Sequence, residues 1–193
     1  MTFRAIFAAV AAPLLLIGAA GCSDGAGETT SAASFDLSPS AENYPGRIRD
    51  AAQVLDPPSE ARLTALLDGA EERYGQQVGI VTVQSLEGYA IEDYSLYYAR
   101  RWGLGDAERN DGLMILLAPN ERKVRIEVGK GIESTFTDLF CKNLIDEVMI
   151  PRFKEGDFEA GVEAGAQALV ERMKRYPSQP ANDNETIAGE NAA

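Results

Sequence analysis

Two uninterrupted apolar runs, residues 78–83 (VGIVTV) and 113–118 (LMILLA), constrain this chain most. Each has the length of a strand and is too short for a buried helix. Neither alternates with polar residues, so both faces of each strand must be covered by other elements. Between the runs, Ile91, Tyr94, Tyr98 and Trp102 recur on one helical face, and Gly103 follows as a stop signal. Strand, helix, strand reads as a parallel crossover, for which the right-handed form is expected. A layered α/β domain is the arrangement that buries such strands.

The flanking elements follow the same logic. Leu63, Leu67, Ala70 and Tyr74 share a helical face after Pro57-Pro58, with Ser59 as the expected N-cap and Gly75 as the stop. Residues 47–55 form a short entry segment that periodicity does not classify. Val124, Ile126 and Val128 alternate with Arg125 and Glu127, which predicts a strand with one apolar face. The short turn at 119–122 makes that strand the antiparallel partner of 113–118. Phe136, Phe140, Leu144 and Val148 predict a helix capped by Thr137 or Ser134 and stopped by Pro151. Asp157 caps a last helix, on which Gly161 and Gly165 predict close approach of a neighbour.

Neither end of the chain has this character. Residues 1–21 carry Arg4, an uncharged apolar stretch at 6–17, and small residues at 18–21, the pattern of a signal peptide. The stretch is too short for a permanent membrane span. The small residues before Cys22 resemble a bacterial lipobox, with Ala19 where leucine is usual. Cys22 is therefore the expected lipidation site, with a plain secretory signal as the alternative. Acyl chains anchor through roughly 0.8 kcal/mol per buried methylene. Residues 22–43 read as a disordered tether and 177–193 as a disordered tail, because both are poor in apolar residues. The folded domain is expected over 44–176. The implied location is the periplasmic side of a bacterial envelope membrane, or a soluble periplasmic or secreted form.

The formal net charge is -12, which disfavours nucleic acid as a partner. There is no histidine among the 193 residues, so imidazole is unavailable as base, triad member or ligand. A metal site would be built from oxygen, which suits Ca²⁺ or Mg²⁺. Cys141 is the one thiol left for the domain. Without histidine to activate it, it reads as a core residue.

Candidate chemistry lies in two loops. Asp111 precedes the strand at 113–118, and Glu133 follows the strand at 123–128. Antiparallel pairing puts the start of one strand beside the end of the other, so both carboxylates belong at one rim. Asp138 opens the next helix on that side, and Asp50 in the entry segment is a further candidate ligand. Gly129 and Gly131 permit close backbone approach and could offer amides to an anion. Against this, Asn-Asp-Gly at 110–112 is a common turn, and Asp138 is favourable capping electrostatics in its own right.

The strings at 77–83 (QVGIVTV), 102–105 (WGLG), 110–113 (NDGL) and 125–133 (RIEVGKGIE) resemble TPM domains. Asp138, 150–153 (IPRF) and 156–158 (GDF) continue the resemblance. It spans residues 48–173 and implies a three-layer α/β/α sandwich with a small mixed sheet, combining a parallel crossover and one antiparallel hairpin. It further implies exposure on the outer side of a membrane, divalent-metal binding by acidic loop residues and, for some plant thylakoid relatives, acid phosphatase activity linked to photosystem repair. Carried onto this chain, the metal positions are Asp50, Asp111, Glu133 and Asp138. Two functions compete. One is a cation-binding interaction or assembly module that docks on envelope proteins. The other is a metal-assisted phosphatase acting on phosphomonoesters, in which the Gly129 and Gly131 amides would receive phosphate oxygens.

Overall fold

The computed structural model describes residues 46–178. The expected signal peptide, Cys22, the tether and all of the expected tail beyond Ser178 lie outside the described residues. Four strands, β1 (Ile48–Asp50), β2 (Gln77–Thr82), β3 (Gly112–Ala118) and β4 (Lys123–Val128), form one sheet in the order β1-β2-β3-β4. The first three are parallel, and β4 runs antiparallel to β3. β1 is the strand missing from the sequence reading. Three residues are too few to show a period, and it exists because Ile48 pairs with Ile80 and Asp50 with Thr82.

Helix α1 (Pro57–Tyr74) links β1 to β2, and α2 (Ile91–Trp102) links β2 to β3. The α1 cap is Asp56, where the sequence suggested Ser59. The Asp56 carboxylate accepts the Ser59 N–H at 2.7 Å, and Pro57 and Pro58 occupy the first positions, where a missing N–H costs nothing. Leu63, Leu67 and Ala70 of α1 join Ile80, Ile115 and Ile126 in one core. α2 covers the other face: Gly79 abuts Trp102 and Leu104, and Ser95 bonds Glu127. The two crossovers step the same way across the sheet but pass on opposite faces. They are therefore of opposite hand, and the right-handed preference holds for one of them.

The chain then runs through α3 (Asp138–Asn143), a π-helical segment (Leu144–Met149), α4 (Ile150–Lys154) and α5 (Phe158–Arg175). Thr137 caps α3 and Asp157 caps α5, each accepting an N–H three residues on. Pro151 does not stop the helix, contrary to expectation. The Ile150 N–H reaches back to the Ile145 carbonyl, and this widened turn leaves room for the proline ring. Gly161 and Gly165 are contact points as predicted: a Cβ on Gly161 would sit 2.2 Å from the Phe153 ring, and one on Gly165 2.9 Å from Met149. Pro177 and Ser178, assigned to the tail by composition, are held at the end of α1, with the Ser178 N–H donating to the Tyr74 carbonyl at 2.8 Å.

Candidate functional site

The pairing of β3 with β4 brings the Asp111 and Glu133 loops to the same rim. The Gly129 N–H donates to the Gly112 carbonyl at 2.8 Å, and the Gly131 N–H to the Asn110 carbonyl at 3.0 Å. Both amides are thereby engaged, which removes the expected anion cradle. The glycines have a packing cause instead. A Cβ on Gly129 would lie 2.2 Å from the Asn110 carbonyl oxygen, so the loop backbones touch where side chains would be.

Asp111 turns inward. It is 1% exposed, one oxygen accepts the Asp106 N–H at 2.9 Å, and the other accepts Arg109 Nε at 2.7 Å. Asp106 in turn accepts the N–H groups of Glu108 and Arg109, which holds its carboxyl below the ordinary carboxylate range. The result is a cross-braced loop, with Asn110 at a left-handed φ of 49°. A buried carboxylate already matched to a guanidinium has a complete structural explanation.

Asp50 sits at the opposite end of the sheet. It pairs with Thr82, which is beside Leu117 near the far end of β3. Its carboxylate accepts the Val54 and Leu55 N–H groups at 3.1 and 2.8 Å, together with the Thr82 hydroxyl. It braces the turn into α1. Four carboxylates in one coordination sphere are therefore not what the fold produces. Among the described residues, no three His, Cys, Asp or Glu side chains are grouped to hold a metal ion.

Glu133 and Asp138 share one groove. Both are exposed, and both line a cavity of about 460 Å³ along the outer edge of β4. One wall carries Ile91 and Glu92 of α2, and the other Phe136, Cys141, Lys142 and Ile145. Two of its cations are already matched: Arg125 bonds Glu127 at 2.8 Å, and Lys142 pairs with Asp146. Glu133 and Asp138 have no ion-pair or hydrogen-bond partner among the described residues. This leaves the groove with surplus negative charge. Cys141 is a core residue, 7% exposed, and burial together with the Asp138 charge pushes its thiol up to about 11.

The sequence reading missed the groove itself, including Glu92 and Glu127. That β4 ends the sheet is a property of strand order, which no local pattern encodes. The alternation of Val124, Ile126 and Val128 was the nearest available signal.

The small mixed sheet covered by helices on both faces is the architecture of a compact α/β domain class. The family model described as TPM domain matches residues 48–172, and the chain belongs to that family. The N-terminal domain of a protein from P. gingivalis is 29% identical, with a TM-score of 0.62, covering 66% of this chain and 82% of that one. The BA42 protein from Bizionia argentinensis (18% identical, TM-score 0.57) covers 67% of this chain and 88% of that one. The N-terminal domain of the cg2496 protein from Corynebacterium glutamicum (17% identical, TM-score 0.54) covers 75% and 89%. The last two likenesses concern the fold alone. No curated protein matches the chain. Among the described residues, no helix is long and apolar enough to cross a membrane.

Proposed function

We propose that this TPM domain is a noncatalytic interaction module, and that the acidic groove beside β4 is its recognition surface. The observation that carries the reading is the contrast among the four carboxylates. Asp50 and Asp111 are committed to bracing turns, while Glu133 and Asp138 stand free in one groove. Free carboxylates attract cations, either a divalent ion or the basic side chains of a partner. Two such groups with water completing the sphere would hold Ca²⁺ or Mg²⁺ weakly, on the order of millimolar. In this reading the lipid expected on Cys22 keeps the domain at a bacterial envelope membrane, where tethering raises its effective concentration toward membrane-bound partners.

The test is an assay of the mature chain on a phosphomonoester panel with and without Ca²⁺, Mg²⁺ or Mn²⁺, alongside thermal melts in the same ions. The expected result is no turnover, with a cation-dependent rise in melting temperature that the E133Q/D138N double variant loses. Turnover that survives purification and disappears in D111N would overturn the module in favour of the phosphatase.

A further inference from the structure

The groove has a floor as well as walls, and the floor is unpaired backbone. The Gly129-to-Gly112 bond fixes the phase of the β3–β4 ladder, so Lys123, Arg125 and Glu127 direct their backbone groups toward β3. The N–H and C=O groups of Val124, Ile126 and Val128 point outward. None of these residues bonds to any other group through its outward side among the described residues. β4 is thus an unpaired sheet edge with three outward donors and three acceptors, those of Val124 and Val128 half-buried and those of Ile126 deepest in the groove. The side chains of Arg125 and Glu127 do not project across it. They turn onto the α2 side, where both meet Ser95. An exposed edge commonly carries a bulge, an inward charge or a covering element. Here the α2 and α3 walls flank the edge, and Val124, Ile126 and Val128 line the groove between them.

We propose that β4 accepts a fifth strand, an extended basic segment of a partner protein that lies in the groove and completes the sheet. This rests on the interaction-module reading above and specifies how the module binds. Strand addition draws affinity from main-chain hydrogen bonds and selectivity from alternate side chains. One set of alternate positions would face the wall that carries Ile145, and the other the wall that carries Glu92. The charge of the occupant follows from the surplus at Glu133 and Asp138. Lysine or arginine in the added strand is favoured and glutamate is repelled. A strand from a second copy of this acidic chain would meet like charge in the groove, which argues against self-pairing.

The test uses the mature chain and four six-residue peptides: valine alternating with lysine, valine alternating with glutamate, and the lysine peptide N-methylated at every second amide in each of the two phases. Binding is followed by NMR. The expected result is that the lysine peptide protects the Val124, Ile126 and Val128 amides from exchange. The glutamate peptide and one of the two N-methylation phases should bind at least tenfold more weakly. Val124→Pro deletes one outward N–H at a half-buried position near the start of this edge strand, where proline is tolerated, and should weaken the lysine peptide severalfold. If the lysine peptide binds, is weakened by E133Q/D138N, but is indifferent to N-methylation in either phase, strand addition is wrong and the acidic module stands. If no peptide binds, strand addition is wrong. If the three amides are already protected in the free chain, it is also wrong: dependence on protein concentration would identify a second copy as the occupant, and independence a segment of the same chain.

Discussion

A Cβ on Gly131 would lie 1.6 Å from the carbonyl oxygen of Arg109. No rotamer change relieves such a clash, because the backbone alone sets the Cβ position and the oxygen is itself a backbone atom. Gly131→Ala must therefore separate the 129–131 turn from the 109–112 loop and break the Gly131-to-Asn110 hydrogen bond. The expected cost is about 3 kcal/mol in urea unfolding. Gly69 is the contrasting case. It lies within α1, and a Cβ there meets nothing within 4 Å. Gly69→Ala should stabilise the chain by about 0.5–1 kcal/mol through helix propensity. Equal effects of the two substitutions would contradict the packing account of Gly131.

Asp111 supplies a sharper discrimination between a braced loop and a metal site. Its two oxygens serve the Asp106 N–H and the Arg109 side chain. Asp111→Ala strips both groups of their acceptor, with Arg109 still 28% exposed and so partly able to recover water. The expected loss is about 2–3 kcal/mol. It should be the same in Ca²⁺ and in chelator. A destabilisation that vanished in chelator would mean that the wild-type carboxylate holds an ion.

The sheet's interior strands, the β3–β4 hairpin, both glycine contacts of α5 and the burial of Cys141 were legible in the sequence. Each is written in a local pattern: an apolar run, an alternation, a small residue at a helical spacing. β1 was not legible, since its three residues owe their conformation to pairing with Ile80 through Thr82. Nor was the passage of the helix through Pro151, which depends on a π-turn that propensity does not anticipate. The shared rim of Asp111 and Glu133 followed from antiparallel pairing alone. What pairing could not give was side-chain direction. Asp111 points in and Glu133 points out, and that difference separates a brace from a ligand-facing group. Asp50 was placed by resemblance, and the sheet puts it at the other end.

Asp50 joins the end of β1 to the start of α1. Its carboxylate accepts two backbone N–H groups and the Thr82 hydroxyl, so it ties β1 to β2 as well as to its own turn. Asp50→Ala should cost about 2 kcal/mol, with Asp50→Asn intermediate because the amide keeps one acceptor oxygen. Hydrogen exchange localises the effect. The amides of Val54 and Leu55 should lose protection in either variant, while those of β3 should keep theirs relative to global unfolding. Uniform loss across the sheet would show that the turn is not the unit affected.

Three carboxylates outside the groove predict the acid response. Backbone N–H donors hold Asp56, Asp106 and Glu121 below their ordinary values. Their unfolded values are 3.8, 3.8 and 4.5. A lowered folded pKa contributes stability that is present above the unfolded value and lost as pH falls through the folded one. The melting temperature should therefore fall as pH drops below about 4.5. Asp56→Asn should flatten that fall, since its own titration is removed. An unchanged slope in that variant would assign the acid sensitivity elsewhere.

The alkaline response reads out Cys141. Burial first, and the Asp138 charge second, raise its thiol from 9.0 to about 11. The folded chain thus keeps a proton that the unfolded chain releases. The stabilisation is complete below pH 9.0 and is lost as pH rises through 11. Two pKa units correspond to on the order of 2 kcal/mol. Tyr94, raised by burial beside Tyr98, acts in the same direction above its ordinary value, so total stability is not the right observable. The difference between the wild-type chain and Cys141→Ala isolates the thiol. The variant should be less stable at pH 8 through lost packing, and the gap should narrow by on the order of 2 kcal/mol by pH 11. In a Cys22→Ser background, Cys141 should also react with a disulfide reagent at pH 8 far more slowly than a free thiol, and at the rate of transient opening. A gap that stays constant with pH, or prompt labelling of the native chain, would show that the thiol is not held neutral in the wall of the β4 groove.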